Sequence, residues 1–436
     1  MNERNDERLE PRYQTTRKKK LMKQAIFSFL IAISMVSMLG EKASGQEKES
    51  ACEKLQNLGK LYDNPESKGF QNIKLFLSYM HQYGYVDGKD KDGKSFNDSM
   101  EETRRFWMGL QGKFATYWKF KAVSQLSNDR HNYPASSPGS YRQWGHETFR
   151  SANVTFDAGK FWNVSFADAL EIGYGRRSAR MADEWQRSAY LTNALERSDF
   201  SNKLWPSDDE NGNPLAAWIK WKKGKHTFDT AVFSGTYEDY IGGWEDSIMY
   251  YASWLGDFSE GSSLDKKDFW LSLYSQDSTT SEERLAKGND YAIAFVNRLA
   301  KGPWALHTSI GFGNNGPQTS SDREGDFGGF VAMPMYWLQE DRLKLVLRYQ
   351  YEGSDEKEGV RLNSRYARVA EARDSGNIDI NSGRGDNHHS AYAGLNYYFC
   401  GENLKLISGI HYDDLSSAGA RVYEGWTLGT SFRIWF

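Results

Sequence analysis

Apolar and polar residues alternate along most of the chain after residue 70, in stretches of about ten residues. The last stretch shows the pattern clearly. One parity holds Trp426, Leu428, Thr430, Phe432, Ile434 and Phe436, and the other holds Thr427, Gly429, Ser431 and Arg433. Because successive side chains of a strand point to opposite faces, this alternation predicts a strand with one mostly apolar face and one mostly polar face.

The alternation recurs sixteen times. The predicted strands lie near 71–85, 103–114, 117–127, 151–161, 164–175, 214–222, 225–235, 246–257, 266–276, 287–299, 303–313, 326–338, 342–352, 389–399, 403–413 and 422–436. The connections alternate in length. Tight turns are predicted at 115–116, 162–163, 223–224, 300–302, 339–341 and 400–402, with 258–265 somewhat longer, and long polar loops at 86–102, 128–150, 176–213, 236–245, 277–286, 314–325, 353–388 and 414–421.

This organisation predicts an all-β fold: a closed antiparallel transmembrane β-barrel of about 16 strands, with short periplasmic turns and long extracellular loops. A secreted β-sandwich would also alternate, since one face of an antiparallel sheet is often solvated. Aromatic residues near strand ends on the apolar parity favour the barrel, because such residues lie at membrane interfaces. They are Tyr83, Tyr85, Phe161, Trp221, Tyr349, Tyr351, Phe399, Tyr412 and Phe436.

The amino-terminal region predicts export. The apolar run 25–40 is short for a spanning helix, and Ala43-Ser44-Gly45 is a small-residue cleavage site. We expect a signal peptide at 1–45 (with Met22 as an alternative start), a short periplasmic leader at 46–70 and the barrel at 71–436. The predicted location is the bacterial outer membrane, with its lipid as a partner. A terminal aromatic residue, Phe436, is the expected signal for the barrel-assembly machinery.

Composition adds limits. The 436 residues carry a net charge of −3, which points to no nucleic-acid partner, and the mean hydropathy of −0.73 excludes a helical membrane protein. The two cysteines, Cys52 and Cys400, lie on the leader and on a predicted periplasmic turn. Closure of the barrel would bring these segments together, so the cysteines either form a disulfide or remain two thiols.

The polar parity predicts a basic lumen. Its basic residues are Arg105, Lys113, Lys119, Lys121, Lys220, Lys222, Lys344, Arg348 and Arg433. The long loop 176–213 adds Arg176, Arg177, Arg180 and Arg187, and such a loop could fold inward and narrow the barrel. Rows of Lys and Arg predict a pore that attracts anions. In the alternative reading the interior is merely polar, and the loop is solvated, with its arginines paired to Asp183 and Glu184.

Catalytic and metal-binding patterns are weak in this sequence. Ser408 and His411 are three residues apart, which places them on opposite faces of a strand. The pair His388-His389 ends a long loop and is interpreted as a surface pair rather than a metal site. We therefore predict no enzyme, no cofactor and no metal site.

Segments at both ends of the barrel resemble the phosphate-selective porin O/P family. They are Arg105–Phe114, Trp118–Lys121, Phe156–Phe161, Ala393–Phe399, Asn403–Leu406 and the terminal strand. The resemblance implies a sixteen-stranded, homotrimeric porin that passes small anions such as phosphate by diffusion through a basic constriction. Carried onto this chain, the constriction would use Arg105, Lys113, Lys119 and Lys121, with Arg176, Arg177 and Arg180 from the loop.

Two other functions remain open at this point. A general or carbohydrate-selective porin would use lumen aromatic residues such as Trp107 and Trp218. A barrel hydrolase or an adhesin would act through the loops 353–388 and 176–213.

Overall fold

The structure is a computed structural model that describes residues 50–127, 144–205, 213–234, 244, 248–277, 289–318, 320–362 and 365–436. The predicted signal peptide, 1–45, lies outside the described residues.

Sixteen strands form the wall of the molecule. Their bounds are β1 Phe70–Lys89, β2 Ser95–Phe114, β3 Trp118–Ser127, β4 Trp144–Asp157, β5 Ala169–Arg176, β6 Leu215–Lys223, β7 His226–Ser234, β8 Ile248–Asp257, β9 Lys266–Gln276, β10 Tyr291–Lys301, β11 Trp304–Asn314, β12 Asp326–Gln339, β13 Leu343–Ser354, β14 Asn387–Tyr398, β15 Leu404–Ser417 and β16 Ala420–Trp435. Each strand pairs antiparallel with the next along the chain.

The last strand closes the sheet on the first. β16 pairs antiparallel with β1, with Ile434 opposite Tyr79 and Glu424 opposite Lys89. Closure leaves no free sheet edge, so the backbone groups of both terminal strands are bonded within the wall. The prediction of a closed antiparallel barrel of sixteen strands is confirmed.

The two faces of the wall differ as the alternation predicts. On β16, Trp426 and Leu428 are exposed on the outside, whereas Ser431 and Arg433 are fully buried on the inside. Aromatic side chains concentrate outside near the short turns, where Trp118 and Phe156 have ring centroids 4.8 Å apart. An apolar exterior with an aromatic belt is the surface that a barrel in a bilayer requires.

Two connections are shorter than predicted. The loop placed at 86–102 is wrong, because β1 runs on to Lys89 and β2 already begins at Ser95. The side chain of Asp90 forms the turn between them by accepting hydrogen bonds from the backbone of Asp92 and Lys94. The loop placed at 414–421 is also wrong. Ala418 and Gly419 both have positive φ, so they form a two-residue hairpin turn that lets both strands run on.

One connection is longer than predicted. The turn placed at 162–163 is wrong, because β4 ends at Asp157 and β5 begins at Ala169. A short helix, Ala158–Phe161, follows β4 directly, and the side chain of Asp157 caps it by accepting a hydrogen bond from the backbone of Lys160.

Short helices lie in the connections. They are α1 Ala51–Asn57, α2 Ala158–Phe161, α3 Asp183–Gln186, α4 Asp199–Lys203 and α5 Arg365–Arg373, with 3-10 turns at Ala189–Leu191, Ser321–Arg323 and Asn381–Gly383. Among the described residues, no helix has the length and apolar character needed to cross a membrane.

The leader is attached to the end of the barrel that carries the short turns, here called the turn end; the opposite end is the loop end. The short strand Lys60–Asp63 pairs with β1, and Cys52 in α1 is disulfide-bonded to Cys400, in the turn between β14 and β15. Phe436 lies at the same end, where its backbone exchanges hydrogen bonds with Leu77 of β1.

Candidate functional site

The connection between β5 and β6 lies inside the barrel. We call residues 177–214 the inner loop; 177–205 and 213–214 of it are described. The loop turns inward after Gly175, whose φ of 122° a residue with a side chain would rarely adopt. Met181, Phe200 and Leu204 of the inner loop are fully buried against side chains of the wall. The inner loop therefore divides the lumen.

Arg433 of β16 anchors the middle of the inner loop. Its guanidinium donates five hydrogen bonds to the inner loop, to the backbone carbonyls of Ala189, Thr192, Ala194 and Leu195 and to the hydroxyl of Thr192. These carbonyls have no strand partner, so the planar fork of one arginine satisfies a stretch of irregular backbone inside the barrel. Arg433 faces the lumen as predicted, yet its guanidinium is bound to the inner loop and is not exposed to a solute.

The acidic residues of the inner loop are paired to the wall. Asp183 contacts Arg298 at 2.6 Å and His307 at 2.9 Å, and Glu184 contacts Arg348 at 2.8 Å. Although burial acts to raise it, His307 and Arg298 hold the pKa of Asp183 well below its usual range. The alternative in which the loop is solvated and its arginines pair with Asp183 and Glu184 is therefore wrong: the ion pairs of these two acids are with residues of β10, β11 and β13. Arg348, predicted to line the pore, is buried in one of these contacts.

A bulge in β2 supplies a further anchor. Met80 pairs with Arg105 but His81 pairs with Thr103, so Arg104 is an extra residue in the ladder. Arg104 donates to Glu196 of the inner loop at 2.8 Å. Strict alternation would direct Arg104 and Arg105 to opposite faces, and the bulge re-aims one of them so that both point inward. Sequence alternation alone missed Arg104 for this reason.

Basic side chains line the lumen on the side of β2, β3 and β4. We call Arg105, Lys121, Arg150 and Arg180 the basic strip. Arg105 lies within electrostatic range of Arg104, Arg150 and Arg197, and Lys121 within range of Arg180. Arg180 projects from the start of the inner loop and is exposed. Arg105, Lys121 and Arg180 make no ion pair with a described residue, and the nearest charges around Arg105 are mostly those of other arginines.

Other predicted basic residues of this side are neutralised by acids of the wall. Arg177 forms a bidentate pair with Asp229, at 3.0 and 2.6 Å, and Lys119 pairs with Glu171. Arg176, just before the inner loop, is buried and donates a hydrogen bond to the carbonyl of Asn213, near the end of the loop.

The remaining predicted residues lie near the turn end. Lys113, Lys220 and Lys222 are exposed on the lumen parity of β2 and β6. Arg187 and Lys344 line a cavity of about 260 Å³ between the inner loop and β9–β13, and the ammonium of Lys344 lies 4.1 Å from the ring centre of Trp337. The basic residues thus continue from the middle of the lumen towards the turn end.

Trp107 and Trp218, the tryptophans considered for a sugar path, do not offer open faces. Trp107 is covered by Arg150, whose guanidinium carbon lies 5.2 Å from the ring centre, and Trp218 is covered by Arg177 at 5.0 Å. Both rings are buried. A sugar stacks on exposed aromatic rings, so these two residues do not form the contacts considered for a carbohydrate pore.

The connection between β13 and β14 covers the loop end. We call residues 355–386 the outer loop. Arg365 of its helix α5 pairs with Glu102 of β2 at 3.0 Å, and Tyr366 packs directly over Gly84 of β1, where a Cβ would clash with the ring. The outer loop is therefore packed into the mouth of the barrel, against the long β1–β2 hairpin.

Residues considered for catalysis lie apart. Ser408 is bonded to Thr430 at 2.8 Å, whereas His411 contacts Ser390 on the lumen side. The interpretation of His388-His389 as a surface pair is wrong, because His388 is fully buried in the wall and only His389 is exposed. Alternation on β14 separates the two neighbours onto opposite faces.

Several solved structures align with most of this chain. The anion-selective porin from Comamonas acidovorans aligns at a TM-score of 0.49 with 11% identity, over 84% of this chain and 99% of that chain. OprB of Pseudomonas putida aligns at a TM-score of 0.49 with 11% identity, over 85% of this chain and 94% of that chain. The outer membrane channel DcaP of Acinetobacter baumannii aligns at a TM-score of 0.46 with 11% identity, over 84% of this chain and 97% of that chain. No protein-family model and no curated protein sequence matches the chain, so the resemblance to the O/P family remains a prediction.

Proposed function

We propose that the protein is a porin of the bacterial outer membrane, a passive diffusion channel for small solutes that prefers anions such as phosphate. The apolar exterior and its aromatic belt support the location. The charged interior, divided by an anchored inner loop, supports a channel whose narrow part has a fixed shape.

The basic strip is the observation that carries this proposal. The acids of the inner loop are held by Arg298, Arg348, Arg104 and other wall residues, so they cancel charges elsewhere in the lumen. Arg105, Lys121 and Arg180 lie beside the same loop and form no ion pair with a described residue, although Glu196 attracts Arg105 and Asp229 attracts Arg180 at longer range. In a cleft with low-dielectric walls, charges of one sign concentrate the counter-ion, so the strip favours anions over cations.

Charge reversal in the basic strip tests the proposal. We expect the double variant Lys121→Glu, Arg180→Glu to lower the chloride-over-potassium permeability ratio at least about threefold, because two cations are replaced by two anions in the same passage. The ratio follows from the reversal potential of protein-containing bilayers in a KCl gradient. The matched control is Lys68→Glu on the exposed leader, which should leave the ratio unchanged. Equal ratios in the double variant and the wild type would refute the role of the strip.

Phosphate is the proposed anion because guanidinium groups bind it bidentately. We expect millimolar phosphate to reduce single-channel chloride current in the wild type. Arg105→Gln should weaken this block about threefold to tenfold while leaving the hydrogen bond from Arg104 to Glu196 in place. A block of equal strength in the variant, or none in the wild type, would leave only a general anion preference.

The homotrimer implied by the resemblance, and recognition of Phe436 by the barrel-assembly machinery, are also part of the proposal. Native mass spectrometry in detergent measures the first. Membrane assembly of a Phe436→Ala variant measures the second.

A further inference from the structure

Two histidines and three carboxylates meet inside the barrel, where α4 of the inner loop packs against β13, β14 and β15. They are Asp199, Glu352, His388, His411 and Asp413. Four of the five are buried, and His411 keeps 16% of its side chain exposed. The basic strip lies on other strands, so this cluster is separate from the proposed solute path.

The contacts within the cluster are short. His388 bridges two carboxylates, with Nδ1 2.9 Å from Glu352 and Nε2 3.2 Å from Asp413. Nε2 of His411 lies 3.3 Å from the same oxygen of Asp413. Asp199 accepts a hydrogen bond from the amide of Gln350 at 2.8 Å.

The arrangement suits a metal ion. One ligand atom from each of Asp199, His411 and Asp413 lies within 4.8 Å of the other two. Ligands bound tetrahedrally at about 2.1 Å are about 3.4 Å from one another, so small side-chain rotations, with release of Nε2 of His411 from Ser390, would bring the three to ligand distance and leave a fourth position for water. Mixed imidazole and carboxylate donors are found at zinc sites that keep an open position, whereas Ca²⁺ and Mg²⁺ prefer oxygen alone.

Two buried oxygens are unpartnered. Oε2 of Glu352 and Oδ2 of Asp413 receive no hydrogen bond from a described residue, although both side chains are fully buried. Buried carboxylate oxygens normally have a partner, so a bound ion or an ordered water is expected beside these two. Lys203 lies within electrostatic range of Glu352, but its ammonium is bonded to Asn315.

We propose that this cluster is a binding site for one divalent transition-metal ion, with Zn²⁺ the best match. Asp199, His411 and Asp413 are the ligands, and His388 and Glu352 orient Asp413 from behind. The partly exposed edge of His411 is the route of entry. Because Asp199 belongs to the inner loop and the other ligands to the wall, the ion ties the loop to the barrel, whichever solute the channel conducts.

Metal counting tests the site. The full-length folded protein is purified in detergent, stripped with EDTA, equilibrated with Zn²⁺ and desalted. We expect about one Zn²⁺ per chain by elemental analysis, with no such retention of Mg²⁺ or Ca²⁺. His411→Gln should weaken Zn²⁺ binding by about 100-fold or more. The matched control is His389→Gln, a neighbouring histidine that points outward.

A second variant protects the test from a folding defect. Asp199→Asn removes a ligand from the inner loop and leaves every strand unchanged, and heat-dependent gel mobility reports whether each barrel is folded. Folded His411→Gln or Asp199→Asn protein that retains Zn²⁺ like the wild type would overturn the proposal. So would a wild type that retains none, even if anion conductance is normal.

Discussion

Arg433 shows how one side chain can determine the shape of the lumen. The guanidinium is fully buried and donates to four backbone carbonyls of the inner loop. A buried cation without such acceptors would be costly, and so would carbonyls without a donor. The residue and the loop therefore depend on each other.

Replacing Arg433 by lysine should destabilise the folded barrel by about 2–4 kcal/mol, because an ammonium cannot reach all five acceptor positions and several buried charge-assisted hydrogen bonds are lost. Urea unfolding of the protein in lipid vesicles measures this free energy. The control is Arg421→Lys on the same strand, where Arg421 is exposed and pairs with Glu424 at 3.1 Å; a change within about 0.5 kcal/mol is expected there. Equal effects at the two positions would show that the anchor contributes nothing special.

The arginines also show the limit of prediction at this scale. Arg348, Arg433 and Lys121 all occupy the polar parity of their strands, so the sequence treats them alike. What separates them is contact with residues of the inner loop, about half of the barrel away in sequence. Arg104 lies at a bulge, and an alternation pattern contains no information about where a bulge occurs.

At the scale of elements, the inner loop behaves as a fixed partition rather than a mobile connection. Its first half is bonded to β8, β9, β10 and β11 through Arg180, Met181 and Asp183. Its second half is bonded to β1, β2 and β13 through Glu196. Anchors on both sides of the lumen hold the loop in place.

These anchors predict how the loop responds to acid. Arg104 and Arg105 hold the pKa of Glu196 well below its usual range against the opposing effect of burial. His307 and Arg298 lower the pKa of Asp183, also against the effect of burial. A lowered folded-state pKa means that the stabilisation is complete above the unfolded pKa of about 4 and is lost only as pH falls through the folded value. We therefore expect single-channel conductance to stay constant between pH 7 and about pH 4.5. A stepwise rise in conductance within that window would contradict the anchoring.

Element lengths were only partly predictable. The strands were found because burial on one face and lipid on the other force a period of two. Their ends depend on turn chemistry. The side chain of Asp90 and the positive φ of Ala418 form tight turns, so the strands of two hairpins are longer than predicted. Asp157 caps a helix where the sequence predicts the end of a strand.

For the whole molecule, closure makes the fold predictable and the site difficult to predict. A sheet in a bilayer must satisfy every edge group, so sixteen alternating segments lead to a closed wall with few alternatives. The interior is different, because the inner and outer loops choose their partners from all around the wall. The buried cluster at His388 and Asp413 is formed by three strands and a loop helix, and no local pattern indicates it.

The central proposal concerns the lumen: among the residues that the structure describes, the side chains of the basic strip leave a positive charge beside the inner loop. The most direct test is the reversal potential of the wild-type protein in planar bilayers separating concentrated from dilute KCl. The basic strip predicts that chloride is more permeant than potassium, so the reversal potential should lie towards the equilibrium potential of chloride. A potential set by potassium would contradict the account.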